Sequence, residues 1–217
     1  MSTKKGFLIL ILLIFSRGSW AQEESPLPKI PKSGKEIQDF IPQGWEMLGR
    51  DEGDLNKDGL DDFVLALRNK AEEGEDNKTE DLPRLLIILF RTPQGGLRLS
   101  ASSDRALLCQ KCGGVFGDPF QEVTVEKGAV VIKHFGGSTA RWASVNRFRY
   151  QKGEWFLIGK TYSTQNVFSK KGSTTDSNLL TGIVIQEKVS ENGRSSRAVK
   201  KLPNQTLPRL VDFSFDF

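Results

Sequence analysis

Trp142-Ala143-Ser144-Val145-Asn146-Arg147-Phe148-Arg149-Tyr150-Gln151-Lys152-Gly153-Glu154-Trp155-Phe156-Leu157-Ile158-Gly159-Lys160-Thr161 is the stretch whose reading decides the fold. Within Asn146 to Tyr150 the alternation puts Phe148 and Tyr150 on one face and Arg147 and Arg149 on the other, the pattern of a half-buried strand. Gln151-Lys152-Gly153 then separates that run from a second β-prone run, Trp155 to Thr161, which makes a hairpin. Alternation with short turns favours antiparallel pairing over βαβ units.

Working outward, the same grammar recurs. Trp45 to Arg50, Phe63 to Arg68, Arg84 to Arg91, Leu97 to Ala101, Glu122 to Val125, Ala129 to His134 and Gly182 to Val189 are short, rich in Val, Ile, Leu, Phe or Trp, and bounded by Gly, Pro, Asn or Asp. Pro93-Gln94-Gly95-Gly96 and Glu126-Lys127-Gly128 read as further hairpin turns, and Asn192-Gly193 as a type I′ turn. The expected fold is mainly β, an antiparallel meander arranged as a sandwich or as a small propeller-like array. Ser33-Gly34-Lys35-Glu36 fits a capping box followed by Ile37, Phe40 and Ile41, so one short N-terminal helix stopped by Pro42 is expected. Residues 70–82 form an acidic, weakly hydrophobic insert read as a mobile loop, and residues 170–178 a polar hairpin tip. No self-similarity at a fixed period is visible.

Lys4 and Lys5 precede an apolar run from Phe7 to Phe15, and Ser19-Trp20-Ala21 supplies small residues at the cleavage positions of a signal peptide. The run is about half of the roughly 20 residues a membrane span requires. The expectation is therefore a signal peptide at 1–21, a Pro-rich linker at 22–32 (Pro26, Pro28, Pro31) and a single domain at 33–217, periplasmic or secreted, with no transmembrane segment after cleavage. Cleavage leaves about 196 residues, enough for one sizeable core. Lys4, Lys5 and Arg17 carry three of the net +4 charges, so the remainder is close to neutral. No Lys/Arg cluster with interleaved aromatics suggests a nucleic-acid groove; Lys200-Lys201 and Arg147 with Arg149 read as solvated strand faces.

Asp54-Leu55-Asn56-Lys57-Asp58-Gly59-Leu60-Asp61-Asp62 carries oxygen donors at positions one, three, five and nine and a glycine at six. Calcium takes six to eight oxygens, and this spacing offers it Asp54, Asn56, Asp58, the Leu60 carbonyl and Asp62, with Gly59 allowing the curl. Position twelve is Leu65, inside an apolar run, so the loop is not an EF-hand. Asp51, Glu52 and Asp61 read as solvent-facing. Gly53 to Ala66 resembles the loop-then-strand motif of FG-GAP and VCBS-type repeats of integrin-like propellers, which implies calcium held between two strands. Those families carry several such loops; one is present here. Phe40 to Trp45, Cys109 to Pro119 and His134 to Ser138 resemble a family of exported bacterial proteins, a resemblance that implies no chemistry.

Cys109 and Cys112 are the only cysteines; a local disulfide is expected of an exported chain, with a redox pair or free thiols as alternatives and zinc short of ligands. His134 is the only histidine. Gly113-Gly114 and Gly136-Gly137-Ser138 are expected to form two tight corners that meet, with Asp118, His134, Arg141 and Trp142 around a groove. No G-x-S-x-G elbow is present, and no catalytic residue is assigned. Trp45, Trp142 and Trp155 are read as core. The functional expectation is a calcium-stabilised structural or binding domain facing an envelope or extracellular protein or glycan. The alternatives are an envelope hydrolase using His134 with Asp118 and, third, a thiol-disulfide enzyme.

Overall fold

A computed structural model of the 217-residue chain describes residues 27–73, 82–203 and 206–215. The expected signal peptide lies outside the described residues. The strands are β1 Ser33–Gly34, β2 Trp45–Gly53, β3 Asp62–Asn69, β4 Leu85–Arg91, β5 Leu97–Ser103, β6 Phe120–Glu126, β7 Ala129–Gly137, β8 Ala140–Gln151, β9 Glu154–Asn166, β10 Gly172–Asn178, β11 Ile183–Val189 and β12 Ser195–Lys201. They form two open antiparallel sheets, ordered β1-β5-β4-β3-β2 and β12-β11-β10-β9-β8-β7-β6. From β2 onward each sheet is a meander.

The turns explain the meander. Lys127 and Gly128, and again Lys152 and Gly153, both have positive φ (53° and 72°; 53° and 88°), the two-residue type I′ geometry whose twist matches the flanking strands. Asn192-Gly193 differs from its expected type I′. Only Gly193 has positive φ (77°), and Ser190 N–H donates to the Arg194 carbonyl across a three-residue loop, held by Ser190 Oγ bonded to both Asn192 Oδ1 and the Arg194 carbonyl.

β3 and β4 are buried along both faces, and their residues alternate between two clusters. Val64, Ala66, Leu86, Ile88 and Phe90 face the seven-stranded sheet and pack with Val123, Val130, Ile132, Phe148, Trp155 and Leu157. Phe63, Leu65, Leu67, Leu85, Ile87 and Leu89 pack outward with Phe40 and Trp45, under Ile30, Ile37 and Ile41. Each such aliphatic side chain withdrawn from water contributes about 1.5–3 kcal/mol. The segment read as linker is thus tied down over its described part, since the Lys32 carbonyl also accepts from Leu99 N–H at 2.9 Å.

The expected N-terminal helix is instead a single 3-10 turn, Ile37–Phe40. Gly34, whose added Cβ would lie 2.8 Å from Phe40 Cε2, is taken up by pairing with Leu97 in β1. The capping falls to Asp39, whose Oδ2 accepts from Lys35 and Glu36 N–H (2.6 and 3.1 Å). β10 and β12 were not legible as strands, because both are polar and β12 is exposed throughout. Pairing with β9 and β11 fixes them.

β2 and β6 bring the sheets together along one side. Asp51, expected in solvent, accepts from Val125 N–H with Oδ2 at 2.7 Å, and the glycines of β2 leave room for Phe120 and Val125. Trp155 Nε1 donates to Ser100 Oγ at 2.9 Å, a second tie between the sheets.

Candidate functional site

The acidic loop lies between β2 and β3, where the sequence places it. Asp54 Oδ1 accepts from Lys57 and Asp58 N–H (2.6 and 3.2 Å) and its Oδ2 from Gly59 N–H (3.0 Å). Asn56 Oδ1 accepts from Asp58 N–H, Asn56 Nδ2 donates to Asp58 Oδ2, and Asp58 Oδ1 accepts from Leu60 N–H, each at 2.9 Å. Gly59 takes φ 83°, the curl its position demands. Asp54, Asn56 and Asp58 thus gather on one turn, and their oxygens retain lone pairs suited to a hard cation. Asp62 is placed differently. It is fully buried and accepts from Leu55, Asn56 and Arg91 N–H, bracing the loop against the end of β4. Burial pushes its carboxyl up, partly offset by those hydrogen bonds. Among the described residues no three His, Cys, Asp or Glu side chains converge as a metal group.

The two glycine corners meet as expected. Gly114 bridges Gly137, Gly137 N–H donates to the Gly113 carbonyl at 2.8 Å, and Val115 N–H donates to the Gly137 carbonyl at 3.0 Å. A Cβ on Gly136 would lie 2.6 Å from Trp142 Cζ2, which explains the small residue. Cys109 and Cys112 are joined as a disulfide, with Cα atoms 5.1 Å apart.

Of the four residues expected around a groove, two are sequestered. His134 is 1% exposed; its Nε2 accepts from Leu108 N–H at 3.2 Å, while buried Nδ1 has no partner. Burial, aided by the charge of Arg84, pushes its pKa down to about 4, against the pull of Asp118. Asp118 is gripped by Arg84 in two hydrogen bonds of 2.7 Å. Burial pushes its carboxyl up, but hydrogen bonds from Arg84 and from Phe120 N–H outweigh that and hold it below the usual value. No hydrogen bond joins His134 to Asp118 among the described residues. Arg141 and Trp142 instead line an outer hollow of about 390 Å³ with Phe135, and Arg141 lies 5.3 Å over the Phe116 ring.

Sequence reasoning missed the clamp itself. Arg84 is fully buried and bonded through Nε and Nη2 to Glu72 (2.8–3.2 Å) as well as to Asp118. Glu72, 6% exposed, belongs to a 3-10 turn, Lys70–Glu73, at the start of the insert read as mobile; residues 74–81 lie outside the described set. Burial works against the Arg84 charge, yet its two carboxylate partners keep it firmly protonated.

A second region carried no sequence signal. The inward face of the seven-stranded sheet continues past the edge of the smaller sheet and is crossed by the C-terminal segment, in which Phe213 meets Phe148 and Phe215 meets His134 edge-to-face. A cavity of about 300 Å³ lies there, lined by Ser144, Asn146, Tyr162, Thr175, Ser177 and Phe215, with Lys160 at its margin. Ser144 Oγ is buried and has no hydrogen-bond partner. Comparison with family models, curated proteins and solved structures finds no match for the chain.

Proposed function

We propose that the protein is an exported, calcium-stabilised two-sheet β domain that acts by binding rather than by turnover. The observation that carries this is the cavity on the inward face of β8, β9 and β10, whose Ser144 hydroxyl is buried and unspent. Buried polar atoms are ordinarily satisfied, so an unsatisfied one opening on a cavity marks a place where a bound group completes the bonding. The hydrolase alternative draws less support. A general base must reach the proton it abstracts, and His134 is 1% exposed in the core while Asp118 is held by Arg84. In the calcium loop Asp54, Asn56, Asp58 and the Leu60 carbonyl would hold the ion, whose charge would pin β2 to β3; Asp62 would brace the loop.

The test is retention on isolated cell-envelope and extracellular material, comparing the protein with Thr175→Trp, which fills the cavity. Retention by the wild type and its loss in the variant are expected. Equal retention of both, or release of cleavage products that depends on His134, would replace this reading.

A further inference from the structure

The inward face of β8–β12 has a chemical asymmetry that fixes the class of ligand, an inference that rests on the binding reading above. Strand register sets its rows. Ser144, Tyr162, Thr175 and Gln186 lie side by side across four strands, and Asn146, Lys160, Ser177, Val184 and Lys200 form the next row. Lys188 stands in the third row, beyond Thr164 and Ser173, which bond each other at 3.0 Å. No Asp or Glu occurs on this face of these strands. Their acidic side chains point the other way: Asp176 accepts from Thr161, and Glu187 pairs with Arg197. Lys160, Lys188 and Lys200 make no ion pair among the described residues.

The face therefore combines the unpaired Ser144 hydroxyl with neighbouring hydroxyl and amide groups, an aromatic ring exposed at Tyr162 (42%), a half-buried ring at Phe215 beside the cavity, and three ammonium groups without an ion pair among the described residues. A small neutral metabolite would leave the lysines unused. A single-stranded nucleic acid would want a run of stacking rings, and here the wall is mostly Ser, Thr and Asn. Hydroxyl-rich partners matched to polar side chains, C–H faces matched to aromatic rings, and spaced negative charges matched to lysines describe one class. From β8 to β12 the face spans roughly 19 Å at the usual strand spacing, room for an oligomer rather than a single ring. A second hollow, lined by Thr164, Lys188 and Arg194, continues it toward the β11–β12 turn.

We propose that this face binds an acidic polysaccharide: ring hydroxyls bond to Ser144, Asn146, Thr175 and Ser177, and carboxylate or sulfate substituents pair with Lys160, Lys188 and Lys200. The deepest sugar hydroxyl satisfies Ser144 Oγ, beside His134 in the strand pairing. The experiment is isothermal titration of the purified protein with a hexameric polyuronate, a sulfated oligosaccharide and a neutral glucan of equal length, and a short single-stranded DNA. Each is run at about 50 and about 200 mM salt. One of the two acidic saccharides is expected to bind at both salts, at least about tenfold more tightly than the glucan. Lys160→Gln and Lys188→Gln should each weaken it about fivefold, the upper range for an exposed ion pair. Ser144→Ala should weaken it without lowering the melting temperature, since its hydroxyl makes no hydrogen bond to the protein. Equal binding of the glucan, still sensitive to Ser144→Ala, would overturn the acidic assignment and leave the binding reading standing. DNA binding as tight as the saccharide's would overturn it in favour of an unselective anion surface. No heat from any probe, with envelope retention intact, would also overturn it and point to a protein partner; no heat and no retention would remove both readings.

Discussion

The sole histidine gives the protein a predictable pH dependence. In the folded state His134 is held neutral to a pKa of about 4, chiefly by burial and secondarily by Arg84. In the unfolded chain it titrates near the ordinary value of 6.5. A group depressed by folding contributes stability that is complete above its unfolded pKa and is lost as pH falls toward its folded pKa, because only the unfolded state takes up the proton. The window is therefore pH 6.5 down to 4. Weighting the two states by their proton binding, acidification from about pH 7 to about pH 5 should remove about 2 kcal/mol. The assay is urea unfolding followed by tryptophan fluorescence at the two pH values, with calcium held constant. His134→Gln keeps an acceptor for Leu108 N–H but cannot titrate, so its stability should be nearly flat over the interval. Direct NMR titration of the His134 ring checks the same point if the variant is too weak to fold. A wild type equally stable at both pH values, or a variant with the wild-type slope, would refute the reasoning.

The clamp and the two turns give sharper perturbations. Arg84→Met strands Glu72 in a buried site and deprives the partly exposed Asp118 of its partner, and should cost about 3 kcal/mol, read as a melting point lower by about 10 °C; adding Glu72→Gln and Asp118→Asn should restore part of it. A drop of less than about 2 °C would show the clamp to be energetically idle. Asp58→Ala should abolish a calcium-dependent rise in melting temperature, worth about 1.4 kcal/mol when the ion stands at tenfold its dissociation constant; an undiminished rise would acquit the loop. Gly137→Ala meets both a left-handed φ of 111° and the Ala140 carbonyl, so a loss of about 1–3 kcal/mol is expected in chemical unfolding; a neutral result would mean that the glycine corner relaxes freely.

Local pattern carried most of the architecture. The β8–β9 hairpin could be read from Phe148 and Tyr150 alternating with Arg147 and Arg149, and Phe148 is fully buried. Two Lys-Gly pairs behaved as turns, and the glycine corners met. What failed to read was non-local. Gly172 to Asn178 has no apolar period, so nothing in it announces a strand; its place comes from backbone pairing on both sides. Ser33 to Glu36 satisfied a helix-start pattern, but the competing pairing of Gly34 with Leu97 involves residues far along the chain. Glu72, Arg84 and Asp118 are charged residues of a kind met on any surface, and only the fold brings them together around the buried Arg84.

The residues that looked chemical share a different task. The passage from β5 to β6 is the chain's crossing between the sheets, and it is fastened along its length. Leu108 N–H bonds to His134, Cys109 is linked to Cys112, Gly113 and Gly114 lock onto Gly137, and Asp118 closes on Arg84. A histidine, a cysteine pair, an aspartate and paired glycines are the composition of many active sites, and here each is consumed in holding a strandless segment against β7 and β4. Their pairing costs the crossing its freedom. An unspent hydroxyl lies instead on β8, at Ser144, in a cavity walled by Ser, Thr and Asn residues of β8–β10 that an irregular, aromatic C-terminal segment borders but does not satisfy. On the proposed reading, this polar sheet face takes a partner from outside the fold, and the lysines along it select that partner by charge.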